Sequence, residues 1–141
     1  MNILLVEDNP ADVRLVREAL AEGEVPALLD WVHSGEEAVA HLRYGIVAAK
    51  EVATDLVLLD LNLPGMTGHE LLALIKTDPE LCHIPVVVLS SSAARHDVMS
   101  AYRSHVNAYV VKPDDFEQYL TLVGTIESYW RETVTLPTRG M

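Results

Sequence analysis

Runs of apolar residues alternate with amphipathic stretches along the chain. Five short runs are dense in Leu, Val and Ile, which is typical of parallel strands buried on both faces. Between them, apolar residues recur every three or four positions, which predicts helices. The predicted strands are 2–7, 27–32, 55–60, 85–90 and 107–111, and the predicted helices are 10–22, 35–44, 68–76, 93–103 and 114–133. We therefore expect an α/β fold, with one parallel five-stranded sheet and helices on both of its faces.

Four of the predicted strands end in polar side chains. These side chains are Glu7 and Asp8 after the first strand, Asp60 and Asn62 after the third, Ser90 at the end of the fourth, and Lys112 after the fifth. A helix cap or a turn explains any one of them, but not all of them together. Ligands of open α/β sheets bind beyond the carboxyl ends of the strands, so a shared site is predicted at that edge.

The residue types in this set predict phosphoryl chemistry at a metal. Three crowded carboxylates repel one another unless a cation joins them, and oxygen ligands without His or Cys suit Mg²⁺. A carboxylate nucleophile beside a metal can accept a phosphoryl group. Lys112 can supply a further positive charge, and Ser90 a hydroxyl donor. We therefore interpret Asp60 as a phosphoacceptor.

The composition narrows the class of protein. The 141 residues suit one domain, and the formal net charge of −11 argues against direct binding of nucleic acid. Cys82 is the single cysteine, which excludes an internal disulfide and a cysteine-based zinc site. The apolar runs are too short for a signal peptide or a membrane span. We therefore expect a cytoplasmic protein without membrane contact.

Four motifs resemble the receiver domain of two-component response regulators, the CheY-like family. They are NILLVEDN, DLVLLDLNLPGMTG, VVVLSS and YVVKP, and the resemblance covers about residues 1–133. It implies a flavodoxin-like (βα)5 fold with strand order 2-1-3-4-5. Residues 134–141 are then expected to be a C-terminal tail, with no effector domain. The resemblance also implies phosphorylation by a sensor histidine kinase, and a protein that catalyses only its own phosphorylation and dephosphorylation.

The resemblance assigns a Mg²⁺ site, in which Mn²⁺ or Ca²⁺ can substitute in vitro. By position in the motifs, Asp8 is a direct metal ligand, and Glu7 assists it. Asp60 is both the phosphorylated residue and a ligand, and the backbone carbonyl of Asn62 completes the site. The six histidines share no metal-ligand spacing. We expect His69, close to the phosphorylation loop, to occupy a solvent-exposed helix position.

The resemblance also assigns a conformational switch. Ser90 is the switch hydroxyl and Tyr109 the switch aromatic, and Lys112 pairs with the phosphoryl group. On phosphorylation, Ser90 is expected to be drawn toward Asp60 while Tyr109 moves inward. The peptide bond between Lys112 and Pro113 is cis in the family.

A second resemblance concerns the partner. The long connection 44–54 and the ending IESYWRETVTLP are similar to those of single-domain regulators that serve phytochrome-type histidine kinases. The output is expected to be a protein contact, or onward transfer of the phosphoryl group to a histidine phosphotransfer protein. An aspartyl-phosphate phosphohydrolase is an alternative. It is disfavoured because such enzymes commonly need an acid where this chain has Asn62.

The last predicted helix carries two apolar stripes. The stripe expected to pack on the sheet contains Phe116, Leu120, Val123 and Trp130. The second stripe contains Tyr119, Leu122, Ile126 and Tyr129. Together they are wider than the roughly 100° that a helix needs to cover one core. We therefore predict a homodimer through the second stripe, the alternative being a deeply buried helix or a tail folded over that stripe.

Overall fold

A parallel sheet of five strands forms the centre of the molecule. The computed structural model describes residues 1–23, 25–48 and 53–137. The strands are β1 (Asn2–Val6), β2 (Leu28–Val32), β3 (Leu56–Leu59), β4 (Val86–Ser90) and β5 (Ala108–Val111). They lie in the order β2-β1-β3-β4-β5 and all pair in parallel. The expected fold class and strand order are therefore confirmed.

Five helices connect and follow the strands. They are α1 (Pro10–Ala21), α2 (Gly35–Val47), α3 (Gly68–Thr77), α4 (Arg95–Arg103) and α5 (Phe116–Ser128), the last continued by a π-helical turn (Tyr129–Thr133). Helix α2 ends three residues later than predicted, so the first part of the connection 44–54 is helical. Residues 49–52 of that connection and 138–141 of the predicted tail lie outside the described residues.

Two separate hydrophobic clusters hold the helices on the sheet. Leu4 and Val6 of β1 point into a cluster with α2, α3 and α4, while Ile3 and Leu5 point into one with α1 and α5. This division follows from the alternation of side chains along a strand. Burial falls from the centre of the sheet to its edges. Every residue of β3 is buried, whereas most of β2 and all of β5 are half-buried or exposed.

Side-chain caps fix where α1 and α3 begin. Asn9 Oδ1 accepts a hydrogen bond from the backbone N–H of Ala11 at 2.9 Å. Thr67 Oγ1 accepts one from the backbone N–H of Glu70 at 3.1 Å. Such caps satisfy backbone donors that the first helical turn leaves unpaired. Both helices therefore begin at defined positions within a few residues of the predicted acidic site.

The division of α5 into two stripes was wrong. Tyr119 and Ile126, assigned to the second stripe, are buried against the sheet together with Val123. Their spacing of i, i+4 and i+7 is that of a single helix face. The prediction had assigned Val123 to one stripe and the other two residues to the second. Phe116, assigned to the sheet side, is instead 51% exposed.

Two residues of the predicted second stripe do reach the surface. Leu122 is half-buried and Tyr129 is 52% exposed. The dimer stays a prediction, and of the four side chains predicted for its interface these two reach the surface.

Burial leaves the hydroxyl of Tyr119 without a hydrogen-bond partner among the described residues. Burial also raises the pKa of Tyr119 well above its ordinary value. Because a buried, unpaired hydroxyl is unfavourable, Tyr119→Phe should increase the free energy of unfolding by about 1 kcal/mol. The melting temperature should then rise by roughly 3 °C, which thermal and urea denaturation can measure. Tyr129→Phe, at an exposed position, is the control and should change stability by less than about 0.5 kcal/mol. A less stable Tyr119→Phe protein would contradict this account.

Candidate functional site

The carboxyl ends of β1, β3 and β5 bring the predicted charged residues together. One carboxylate oxygen from each of Glu7, Asp8 and Asp60 lies within 4.8 Å of the others. Lys112 Nζ lies 2.8 Å from Glu7 Oε2 and 3.9 Å from Asp60 Oδ1. Glu7 and Asp60 are buried, whereas Asp8 is exposed. The result is an acidic pocket that is open on the side of Asp8.

Backbone hydrogen bonds set this alignment. The parallel ladder continues one residue past the strands, since Asp60 N donates to Val6 O at 3.0 Å. Lys112 N donates to Ser90 O at 2.8 Å, which fixes the end of β5 beside β4. The expected cis bond between Lys112 and Pro113 is not found, because the described residues contain no cis peptide bond. The peptide bond before Pro113 is trans, and the backbone hydrogen bond from Lys112 to Ser90 places Lys112 at the pocket.

The burial of these acids governs their protonation. Burial raises the pKa of Glu7 to about 7, against the hydrogen bond and charge of Lys112. Burial likewise raises the pKa of Asp60, against the same positive charge. The negative charge of Asp60 also raises the pKa of Glu7, and a shared proton or a cation between the two carboxylates would relieve this repulsion. This set of hard oxygen donors fits a divalent cation such as Mg²⁺.

Lys112 is the positive group of the pocket. Burial lowers the pKa of Lys112, but its hydrogen bonds to Glu7 and Asp12 outweigh this effect, and the pKa lies above its ordinary value. Asp12 Oδ2 lies 2.9 Å from Lys112 Nζ. Sequence reasoning missed Asp12, which lies in the first turn of α1. Asn9 was the sequence signal that could have revealed it. Asn9 caps α1 directly after Glu7 and Asp8, so the first turn of α1, with Asp12, begins beside the site.

Tyr119 borders the same region instead of a dimer surface. It lines a cleft beside Lys112 and Asp12, and both of these charges act on its hydroxyl. This placement follows from the packing of α5 against α1 and the sheet.

The predicted switch residues are linked through Ser92. Ser90 is fully buried, and its Oγ accepts a hydrogen bond from Ser92 N at 3.2 Å. Tyr109 is half-buried, and its hydroxyl donates to Ser92 O at 2.7 Å. Asn62 is exposed on the loop after β3, and its backbone N–H donates to the Asp60 carboxylate. Ser92, on the loop after β4, therefore contacts both predicted switch residues next to the pocket.

Gly68 allows α3 to begin directly against the backbone that follows β3. A Cβ atom at Gly68 would lie 2.5 Å from the carbonyl oxygen of Asp60. Gly68 N also donates to Leu61 O at 3.0 Å. Any side chain here would displace the backbone that carries Asp60.

Two other residues near the site, Trp31 and His69, make contacts that the sequence did not predict. Trp31 Nε1, on edge strand β2, donates to Glu7 O at 2.7 Å and so holds the backbone between two of the acids. His69 is not at a solvent-exposed position as expected. Its side chain is 29% exposed, and its Nε2 lies 3.1 Å from Asp97 Oδ1. Their roles depend on contacts across the sheet and between helices, which local sequence patterns do not carry.

Comparisons with known proteins agree on one family. The family model for the response regulator receiver domain matches residues 3–123. The chain is 44% identical over 135 residues to the response regulator Rcp1 of Synechocystis sp., covering 96% of this chain and 92% of Rcp1. It is 40% identical over 128 residues to the probable methanogenesis regulatory protein FilR2 of Methanothrix harundinacea, covering 91% of this chain and 82% of FilR2.

Solved structures give the same result. The crystal structure of the phosphorylated cyanobacterial phytochrome response regulator RcpA superposes with a TM-score of 0.88 at 47% identity, covering 96% of this chain and 97% of RcpA. The Mn²⁺-bound form of Rcp1 superposes with a TM-score of 0.86 at 44% identity, covering 96% and 98%. Within residues 1–23, 25–48 and 53–137, every helix is too short or too polar to cross a membrane.

The geometry of the acids predicts how metal affinity responds to substitution. Asp8→Asn should weaken Mg²⁺ or Mn²⁺ binding at least about tenfold, because it removes one charge from a small set of oxygen ligands. Trp31 contacts Glu7, so its fluorescence in a Trp130→Phe background can follow the titration. Asp114→Asn makes the same charge change outside the group of Glu7, Asp8 and Asp60. The metal affinity of this variant should stay within about twofold of the wild-type affinity. Equal losses in the two variants would contradict the assignment of Asp8.

Proposed function

This chain belongs to the response regulator receiver domain family, and we propose on that basis that Asp60 accepts a phosphoryl group from a sensor histidine kinase. The observation that carries the proposal is the position of Asp60. It lies at the end of the most buried strand, grouped with Glu7 and Asp8 and 3.9 Å from Lys112 Nζ. The change that follows at the protein surface carries the signal.

The residues of the pocket suit phosphoryl transfer. An oxygen of Asp60 forms a bond to phosphorus as the P–N bond of the kinase phosphohistidine breaks, and the imidazole keeps the electron pair of that bond. Lys112 is close enough to pair with an oxygen of the phosphoryl group on Asp60. Ser90 supplies a hydroxyl donor from the neighbouring strand end. Asp8 and Asp60, with Glu7 and the Asn62 carbonyl assisting, would hold a Mg²⁺ ion, which would neutralise charge on the transferred group.

We propose a switch that is phosphorylated once per cycle, and not an enzyme that turns over phosphate esters. The support is Asn62, two residues after Asp60, because an amide cannot act there as a general acid. Sustained turnover of small phosphate esters would favour the phosphohydrolase instead. Onward transfer to a histidine phosphotransfer protein remains the alternative to output by protein contact.

We also propose that the partner kinase is of the phytochrome type. RcpA is a cyanobacterial phytochrome response regulator, and AtBRR is a bacteriophytochrome response regulator. AtBRR superposes with a TM-score of 0.70 at 36% identity, covering 92% of this chain and 94% of AtBRR.

A phosphotransfer assay tests both parts of this proposal. An autophosphorylated phytochrome-type kinase should label the wild type, and transfer should be faster than from other kinases of the same genome. Asp60→Asn should take up no label from any kinase, nor from acetyl phosphate with Mg²⁺, because the accepting carboxylate is lost. Asp114→Asn should be labelled as the wild type is. A phosphoryl group located on another residue by mass spectrometry would contradict the site, and transfer only from other kinases would contradict the phytochrome link.

A homodimer is the proposed assembly. Leu122, Tyr129 and Trp130 line a groove of about 460 Å³ between β5 and α5, together with Val110 of edge strand β5. Val111, on the same strand, is 42% exposed. A second copy of the chain, packed about a twofold axis, would cover these apolar side chains.

The position of Leu122 on this groove predicts a monomeric variant. Leu122→Glu should give a folded monomer, because it places a charge in the proposed interface. Sedimentation at micromolar concentration, with and without phosphorylation, measures the assembly. Thr121→Glu, the same kind of change at an exposed neighbouring position, should leave the dimer intact. A wild-type mass of one chain under both conditions would exclude the dimer.

A further inference from the structure

A hydrogen-bonded cluster beside the acidic pocket joins four elements of the fold. We call His69, Ser92, Asp97 and Tyr109 the Asp97 cluster. Ser92 Oγ donates to Asp97 Oδ2 at 2.5 Å, and His69 Nε2 lies 3.1 Å from Asp97 Oδ1. Tyr109 hydroxyl donates to Ser92 O at 2.7 Å. The cluster connects the start of α3, the β4–α4 loop, the start of α4, and β5.

Asp97 is the centre of this cluster. Its two carboxylate oxygens accept hydrogen bonds from two different elements, and its side chain is 24% exposed. The hydrogen bond from Ser92, followed by that from His69, holds the pKa of Asp97 below its ordinary value. Hydrogen bonds to an ionised carboxylate are shorter and stronger than those between neutral groups.

The geometry also defines the state of His69. A carboxylate can only accept, so His69 Nε2 must carry the proton in this contact. His69 Nδ1 is buried and has no partner among the described residues. The exposed ring of His96 approaches the same carboxylate more loosely, at 3.5 Å. The bond from His69 is therefore the closer of the two histidine contacts with Asp97.

Ser92 connects Asp97 to both switch residues through hydrogen bonds. Its backbone N–H donates to Ser90 Oγ at 3.2 Å, and its carbonyl accepts from Tyr109. Its hydroxyl also accepts from Ala94 N at 3.2 Å, which shapes the turn before α4. Holding Ser92 therefore fixes the surroundings of both the switch hydroxyl and the switch aromatic.

We infer that Asp97 is a positioning residue that holds the β4–α4 loop in its unphosphorylated conformation, and thereby limits the rate at which Asp60 takes up a phosphoryl group. The inference rests on the proposed function. Ser90 can approach a phosphoryl group on Asp60 only if the adjoining loop moves with it, and Ser92 is two residues away. Because Asp97 belongs to α4 and not to that loop, such a movement would break its hydrogen bond with Ser92. The bond between Ser92 and Asp97 thus favours one of two states, and its loss shifts the population toward the other.

Substitutions in the Asp97 cluster test this inference. Phosphorylation by acetyl phosphate with Mg²⁺ should be about three- to tenfold faster in Asp97→Asn than in wild type. Ser92→Ala should have the same effect, and it leaves the acid in the first turn of α4 in place. Ser92→Thr keeps the hydroxyl and should restore the wild-type rate. Before any phosphorylation, the NMR signals of Tyr109 in Asp97→Asn and Ser92→Ala should shift toward those of the phosphorylated wild type.

A matched control separates the cluster from a general effect of charge. Asp30 Oδ2 lies 3.2 Å from His41 Nε2 between β2 and α2, so Asp30→Asn removes a similar pair far from the switch loop. Acetyl phosphate with Mg²⁺ should phosphorylate Asp30→Asn at the wild-type rate. Rates in Asp97→Asn and Ser92→Ala that equal or fall below the wild-type rate would overturn the inference while leaving the proposed function intact. A wild type that takes up no phosphoryl group would overturn both.

Discussion

The repulsion between buried carboxylates at the strand ends is the constraint on which the site depends. Glu7 and Asp60 are buried side by side, and burial raises the pKa of both. Lys112 offsets part of this charge by bonding Glu7 and Asp12, and it thereby joins β5 to β1 and α1. Buried acids are unfavourable for folding but suit a group that binds a cation and reacts with phosphorus. The fold supports them with two apolar clusters and a continuous backbone ladder.

The two sides of the pocket are built differently. On one side, Asp60 is fixed by the ladder to β1 and by the close approach of Gly68. On the other side, the hydroxyl groups of Ser90 and Tyr109 both bond to the backbone of Ser92, whose side chain donates a hydrogen bond to Asp97 of α4. The backbone that carries Asp60 is therefore held by main-chain contacts, whereas the hydroxyl groups of Ser90 and Tyr109 depend on a loop whose side-chain contact with α4 can exchange.

Much of the fold and the reactive site could be predicted from the sequence. Buried apolar runs that end in Glu7, Asp60 or Lys112 placed these residues at one edge by physical argument, while the strand order came from family resemblance. Asp12, Trp31 and Asp97 could not be found in this way, because their roles depend on contacts between elements distant in sequence. The faces of α5 were misjudged because a helix packed on both a sheet and a neighbouring helix shows a broad apolar surface with no marked boundary, which left Tyr119 and Ile126 on the wrong face.

The gradient of burial across the sheet has a consequence for motion. Amide hydrogens exchange with solvent through local openings, whose free energy is high in the core and low where few apolar contacts form. Every residue of β3 is buried, whereas β5 is half-buried or exposed along its length. Exchange protection should therefore fall from β3, which ends next to Asp60, to β5, which carries Tyr109. Local opening of the β5 edge should therefore leave the backbone before Asp60 protected from solvent.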